Sequence, residues 1–80
     1  MNTVTAVRNR ILQLCNERNI TINALATISG FPPSFINNIL YGKSLKPKII
    51  TIKMICDGLN ITLGEFFSTT EFNSLEQELK

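Results

Sequence analysis

Between Leu25 and Phe67 the chain sets small residues, turn residues, apolar residues and lysines at intervals that suit short packed helices. Leu25 and Ala26 come first, then Gly30-Phe31-Pro32-Pro33, then Ile36 and Ile39, then Gly42-Lys43-Ser44-Leu45-Lys46-Pro47-Lys48. A short helix beginning near Asn23 must stop at Gly30, because a left-handed residue after a helix costs least as glycine. Ala26, one turn earlier, leaves room for a following helix to cross closely, and Pro33 suits that helix's first position. The spacing predicts a helix, a tight turn and a second helix.

The other apolar residues fall into similar stripes. Val4, Val7, Ile11, Leu14 and Cys15 share one helical face, with Asn2 or Thr3 available as cap and Asn19 as the left-handed terminator. Thr21 caps the second helix, whose inward face is expected to be Ala24, Leu25 and Ile28. The third runs from Pro33 to Tyr41, turning Ile36, Ile39 and Leu40 inward and Ser34, Phe35, Asn37, Asn38 and Tyr41 outward. After the Pro47 boundary a fourth begins near Ile49 or Ile50, buries Ile49, Ile52, Ile55, Cys56 and Leu59, and stops at Asn60. Thr62 and Glu65 have capping-box spacing for a fifth helix, with Ile61 and Phe66 placed for the hydrophobic staple that goes with it. Phe72, Leu75 and Leu79 then predict a marginal acidic helix, or a segment ordered only by contact. A division into a domain over 1–68 and a C-terminal tail over 69–80, helical or dimer-contacting, follows.

Eighty residues with 44% hydrophobic content suit one small all-helical domain with little core to spare, so a partner subunit is expected. No apolar run approaches the roughly 18 residues of a membrane span, and Met1-Asn2-Thr3-Val4 lacks the layout of a secretion signal, which predicts a cytoplasmic protein. Cys15 and Cys56 lie on apolar helix faces without Cys-x-x-Cys spacing, as buried reduced thiols rather than a redox pair. The net charge of +2 hides an asymmetry: residues 1–56 hold seven basic side chains against Glu17, a net +6, and residues 57–80 hold Lys80 against five acids, a net −4. A polyanion would be drawn to one end only. With no histidine, no metal-ligand cluster and no glycine-rich phosphate loop, catalysis would fall to a few scattered carboxylates; no enzyme, cofactor or small-molecule ligand is implied.

Over about residues 4–67 the chain resembles the Cro and phage-repressor type of helix-turn-helix domain, also called the xenobiotic-response-element family of bacterial regulators. Leu25-Ala26, Gly30-Phe31, Ile36, Ile39, Gly42-Lys43, Pro47, Leu59-Asn60-Ile61-Thr62 and Glu65-Phe66-Phe67 fall on the family's pattern in register. The resemblance implies an all-α, compact five-helix bundle of the lambda-repressor-like DNA-binding type. It also implies a transcriptional regulator bound as a homodimer to two-fold double-stranded DNA, its third helix in the major groove. Three departures stand out. Ile22 replaces the glutamine that usually opens the second helix and contacts phosphate, and Pro32-Pro33 replace the polar opening of the recognition helix. Cys15 and Leu40 replace an arginine and glutamate that many members pair between the first and third helices. Losing one member of such a pair strands a buried charge at about 3–5 kcal/mol, whereas replacing both with apolar groups is often neutral or stabilising.

Under this resemblance, base reading falls to Ser34, Asn37, Asn38 and Phe35, and backbone or minor-groove contact to Thr21, Tyr41, Lys43, Lys46 and Lys48. Asn37 and Asn38 offer amides that match adenine in the major groove, or are merely solvated. Phe35 is open to three roles: touching a thymine methyl, packing beneath the helix, or meeting a protein. Lys48 holds the position from which an arginine in related phage repressors enters the minor groove, a contact that favours narrow A·T-rich sequence. Leu63, Phe66, Phe67 and Phe72, crowding the acidic end that DNA would repel, are the expected dimer contact. A repressor that occupies its promoter without a sensor domain is the reading for DNA. A protein-contact module, antitoxin-like or adaptor, is the alternative, favoured by the proline-altered helix tip and Phe35.

Overall fold

The computed structural model describes residues 2–42 and 46–79. Its helices are α1 (Thr3–Arg18), α2 (Ile22–Ser29), α3 (Pro33–Tyr41), α4 (Ile49–Leu59), α5 (Leu63–Phe66) and α6 (Thr70–Asn73). Six of these helix ends have a clear local cause. The Asn2 side chain accepts the Thr5 N–H at 2.8 Å, and the Thr21 hydroxyl oxygen accepts that of Ala24 at 3.0 Å. Thr62 and Glu65 complete a capping box, each side chain accepting the other's backbone N–H. Asn19, Gly30 and Asn60 close α1, α2 and α4 at φ of 58°, 82° and 57°, the left-handed conformation that asparagine and glycine tolerate.

The core draws on every helix but α6. Val7, Ile11, Leu14 and Cys15 of α1 meet Leu25 and Ala26 of α2, Ile36, Ile39 and Leu40 of α3, Ile52, Ile55, Cys56 and Leu59 of α4, and Phe66 of α5. Ala6 is buried as well. α2 packs against both α3 and α4. No helix among the described residues is long and apolar enough to cross a membrane.

Two expectations need correction. Ile28 and Ile49 are 50% and 63% exposed, and Ser29 and Thr51 are buried instead. At roughly 100° per residue, Ile28 and Ile49 each lie about a quarter turn from the centre of their helix's buried stripe, on flanks that no neighbour covers. The described residues form five helices in the bundle, and the tail adds α6 and folds back: α6 contacts α1, Phe72 packs on the core, and the Thr3 hydroxyl donates to Glu78 Oε2 at 2.9 Å.

Ser29 is buried because α2 and α4 cross unusually closely. A Cβ added at Gly58 would lie 2.8 Å from Ser29 Oγ and 3.0 Å from the Ile28 carbonyl oxygen. Overpacking costs about 1–3 kcal/mol, more than the roughly 1 kcal/mol that alanine gains over glycine within a helix. Gly58→Ala is therefore expected to lower the urea midpoint. Ser29→Ala, which removes a buried hydroxyl without a hydrogen-bond partner, should leave stability unchanged or higher. In the double variant part of the Gly58→Ala loss should return; purely additive effects would show that the two positions do not share one crossing.

Candidate nucleic-acid interface

With Ile36, Ile39 and Leu40 locked into the core, the roll of α3 is set. At about 100° per residue the side opposite those three carries Ser34, Asn38 and Tyr41, while Asn37 and Phe35 lie on its two flanks. All five are exposed, Tyr41 at 69%. Asn37 is turned back along its own helix, its Nδ2 donating to the Pro33 carbonyl at 3.0 Å. Ser34 and Asn38 sit on the outward line, so sequence reasoning groups two asparagines that the fold separates.

Phe35 has an internal partner. Its ring stacks on Phe31 with centroids 4.9 Å apart, and it remains 40% exposed. It also walls a cleft of about 420 Å³ between α3 and the start of α4, with Ile39, Pro47, Ile50 and Thr51, and Lys46 and Lys48 at its edge. Both lysines are exposed, and Lys48 is the N-cap residue of α4 without a side-chain cap bond. Lys43, expected to share their role, lies outside the described residues. Thr21 is exposed at the start of α2, and its oxygen is used as the cap.

Two arginines matter in a way that periodicity could not reveal. Arg8 donates from Nε to the Ile39 carbonyl at 2.9 Å and from Nη2 to the Gly42 carbonyl at 2.8 Å. Arg10 donates from Nε to the Phe66 carbonyl at 2.7 Å and from Nη2 to the Glu65 carbonyl at 2.8 Å. Neither α3 nor α5 has a basic residue in its last turn to cover its carbonyls. That deficit, legible in sequence, is the available signal that cations from elsewhere are needed. Lys53 is paired with Asp57 one turn along α4. The positive end of the chain is thus partly consumed in structure, and among the described residues Lys46 and Lys48 carry exposed charge beside α3.

Cys15 and Leu40, standing where related chains pair opposite charges, are both buried in the core. Burial pushes the Cys15 thiol up, and does the same to Cys56 against a smaller opposing influence from Lys53. At the acidic end Phe66 is fully buried, so it has no surface to offer as the dimer contact expected of it. Phe67 and Phe72 pack edge-on at 4.9 Å, and with Leu63 they are partly buried against the same core. Short helices that fold back convert what reads as an apolar surface into the domain's own packing.

Residues 10–71 match the sequence model of the Cro/C1-type HTH DNA-binding domain. The crystal structure of the prophage Lp1 protein 11 has the same fold, with a TM-score of 0.81 and 33% identity, over 94% of this chain and 100% of that one. No curated protein sequence matches.

Proposed function

Because this chain belongs to the Cro/C1-type helix-turn-helix DNA-binding family, we propose that it is a small transcriptional repressor that acts by occupying its site, with α3 in the major groove. The observation that carries this reading is the pairing of a polar outward line, Ser34, Asn38 and Tyr41, with exposed Lys46 and Lys48 beside the same helix. The lysines neutralise phosphates and supply affinity; α3 supplies sequence discrimination. Thr21 adds a phosphate contact from the start of α2. Residues 1–68 form the DNA-binding unit, and 69–80 brace it through α6. One small domain makes few contacts, so a homodimer on a two-fold site is the expected binding form, with Leu63, Phe67 and Phe72 offering the surface that remains at the acidic end.

Selection of bound sites from a random duplex library, followed by titration at several salt concentrations, tests the reading. The chain should enrich a two-fold site and bind it with salt-steep affinity. Replacing Lys46 and Lys48 together by alanine should weaken binding to all duplexes alike and flatten the salt dependence by roughly 0.9 log units for each phosphate that is no longer neutralised. Folding should be unaffected, since both side chains are exposed. Parental affinity at every salt concentration would place the docking face elsewhere. No enrichment at all would favour the protein-contact reading, for which the cleft beside Phe35 is the natural surface.

A further inference from the structure

We infer that Arg8 is a positioning residue for DNA recognition, holding the C-terminal end of α3 at the height from which Asn38 and Tyr41 face the groove; the inference rests on the DNA-binding reading above. The apolar contacts of Ile36, Ile39 and Leu40 decide which face of α3 is inward, but being non-directional they hold the end of the helix less sharply than hydrogen bonds to its backbone do. Arg8 supplies that directional restraint. Its guanidinium bridges the Ile39 and Gly42 carbonyls, so one rigid planar fork grips both the last turn of α3 and the chain's exit from it. The base of the fork is fixed too, because Ala6, Val7 and Ile11 bury α1 around it.

The exit itself is tightly made. The Gly42 N–H donates to the Asn38 carbonyl at 2.8 Å, and a Cβ on Gly42 would collide with that same oxygen. The grip therefore holds Gly42 and the last turn of α3 together. A positive charge at the negative end of the α3 dipole strengthens the attachment. The arrangement also accounts for the apolar Cys15 and Leu40: with a guanidinium on the backbone, no side-chain ion pair is needed to tie α1 to α3.

The test uses the full chain with Arg8→Gln and Arg8→Lys, titrated against the selected site and a random duplex over a salt series, at temperatures where circular dichroism shows each variant folded. Losing charged hydrogen bonds that hold the reading helix should lower affinity for the selected site roughly tenfold in Arg8→Gln, with a much smaller loss on random duplex. Arg8→Lys, which can reach one carbonyl, should recover part of the discrimination. The salt slope on random duplex should equal the parent's, because Arg8 neutralises no phosphate; amide exchange in the last turn of α3 should quicken. A flattened slope with equal loss on both duplexes would make Arg8 a phosphate contact and overturn the inference. So would an unchanged specificity ratio in a folded Arg8→Gln variant whose parent discriminates. A parent that binds no duplex would instead defeat the DNA reading on which the inference rests.

Discussion

Phe66→Ala is expected to cost about 3–5 kcal/mol of stability, the range for deleting a fully buried aromatic side chain. The ring has no exposed surface, and it packs against Phe67 and Phe72 with centroids 4.8 Å and 6.3 Å away. It belongs to a four-residue helix, too short to persist without tertiary contacts. α5 is held from two sides: Phe66 anchors it from within, and Arg10 takes the Glu65 and Phe66 carbonyls from outside. Removing the ring empties the joint where α5 and Phe72 meet the core, and leaves the Arg10 grip without its anchor. Domains of this size have only about 5–15 kcal/mol to lose, so the variant should be partly unfolded near physiological temperature. Urea titration reads the effect. Phe66→Leu should lose far less, since most of the buried volume is kept. A loss below about 1 kcal/mol would mean that the C-terminal cluster is peripheral to the fold. A loss that grew on dilution would return Phe66 to a subunit interface.

The outcome for Phe66 shows where sequence runs out. Helix boundaries are legible because each depends on the conformational preference of one or two residues: asparagine at 19 and 60, glycine at 30, threonine at 21, the Thr62 and Glu65 box. The inward face of α3 is legible for a similar reason, since Ile36, Ile39 and Leu40 leave one consistent orientation. Ile28 and Ile49 are misplaced by pattern alone because an apolar side chain at the edge of a stripe reads the same whether or not a neighbour covers it. What decides the matter at Ile28 is Gly58, thirty residues away, which lets α4 approach on the Ser29 side. The roles of Arg8 and Arg10 are only half legible: the missing cations at the ends of α3 and α5 signal a need, but nothing in the sequence says which distant side chains meet it. The aromatics near the C-terminus read as surface because two four-residue helices give too little periodicity to show that the chain turns back.

The same logic separates two neighbouring asparagines and gives them different expected parts in reading DNA. Asn38→Ala is expected to cost about 1–3 kcal/mol on the preferred site and much less on unrelated duplex, the discrimination that one good side-chain contact to a base provides. Asn37→Ala should cost distinctly less. Asn38 lies on the outward line of α3 between Ser34 and Tyr41. Asn37 lies on a flank, and its Nδ2 is engaged by the Pro33 carbonyl at 3.0 Å, a bond that reading a base through that donor would have to break. The prolines at the tip sharpen the contrast: Pro32 and Pro33 offer no side-chain donor, so discrimination is expected further along the helix, at Ser34 and Asn38. Competition titrations against a panel of half-site variants should show Asn38→Ala losing preference chiefly at one base pair of each half-site, while Asn37→Ala keeps the parent's ranking. Equal losses from the two substitutions would mean that α3 rolls on docking or that Asn37 releases Pro33. A uniform loss across all duplexes from Asn38→Ala would move the reading function off α3 and leave that helix as a phosphate contact.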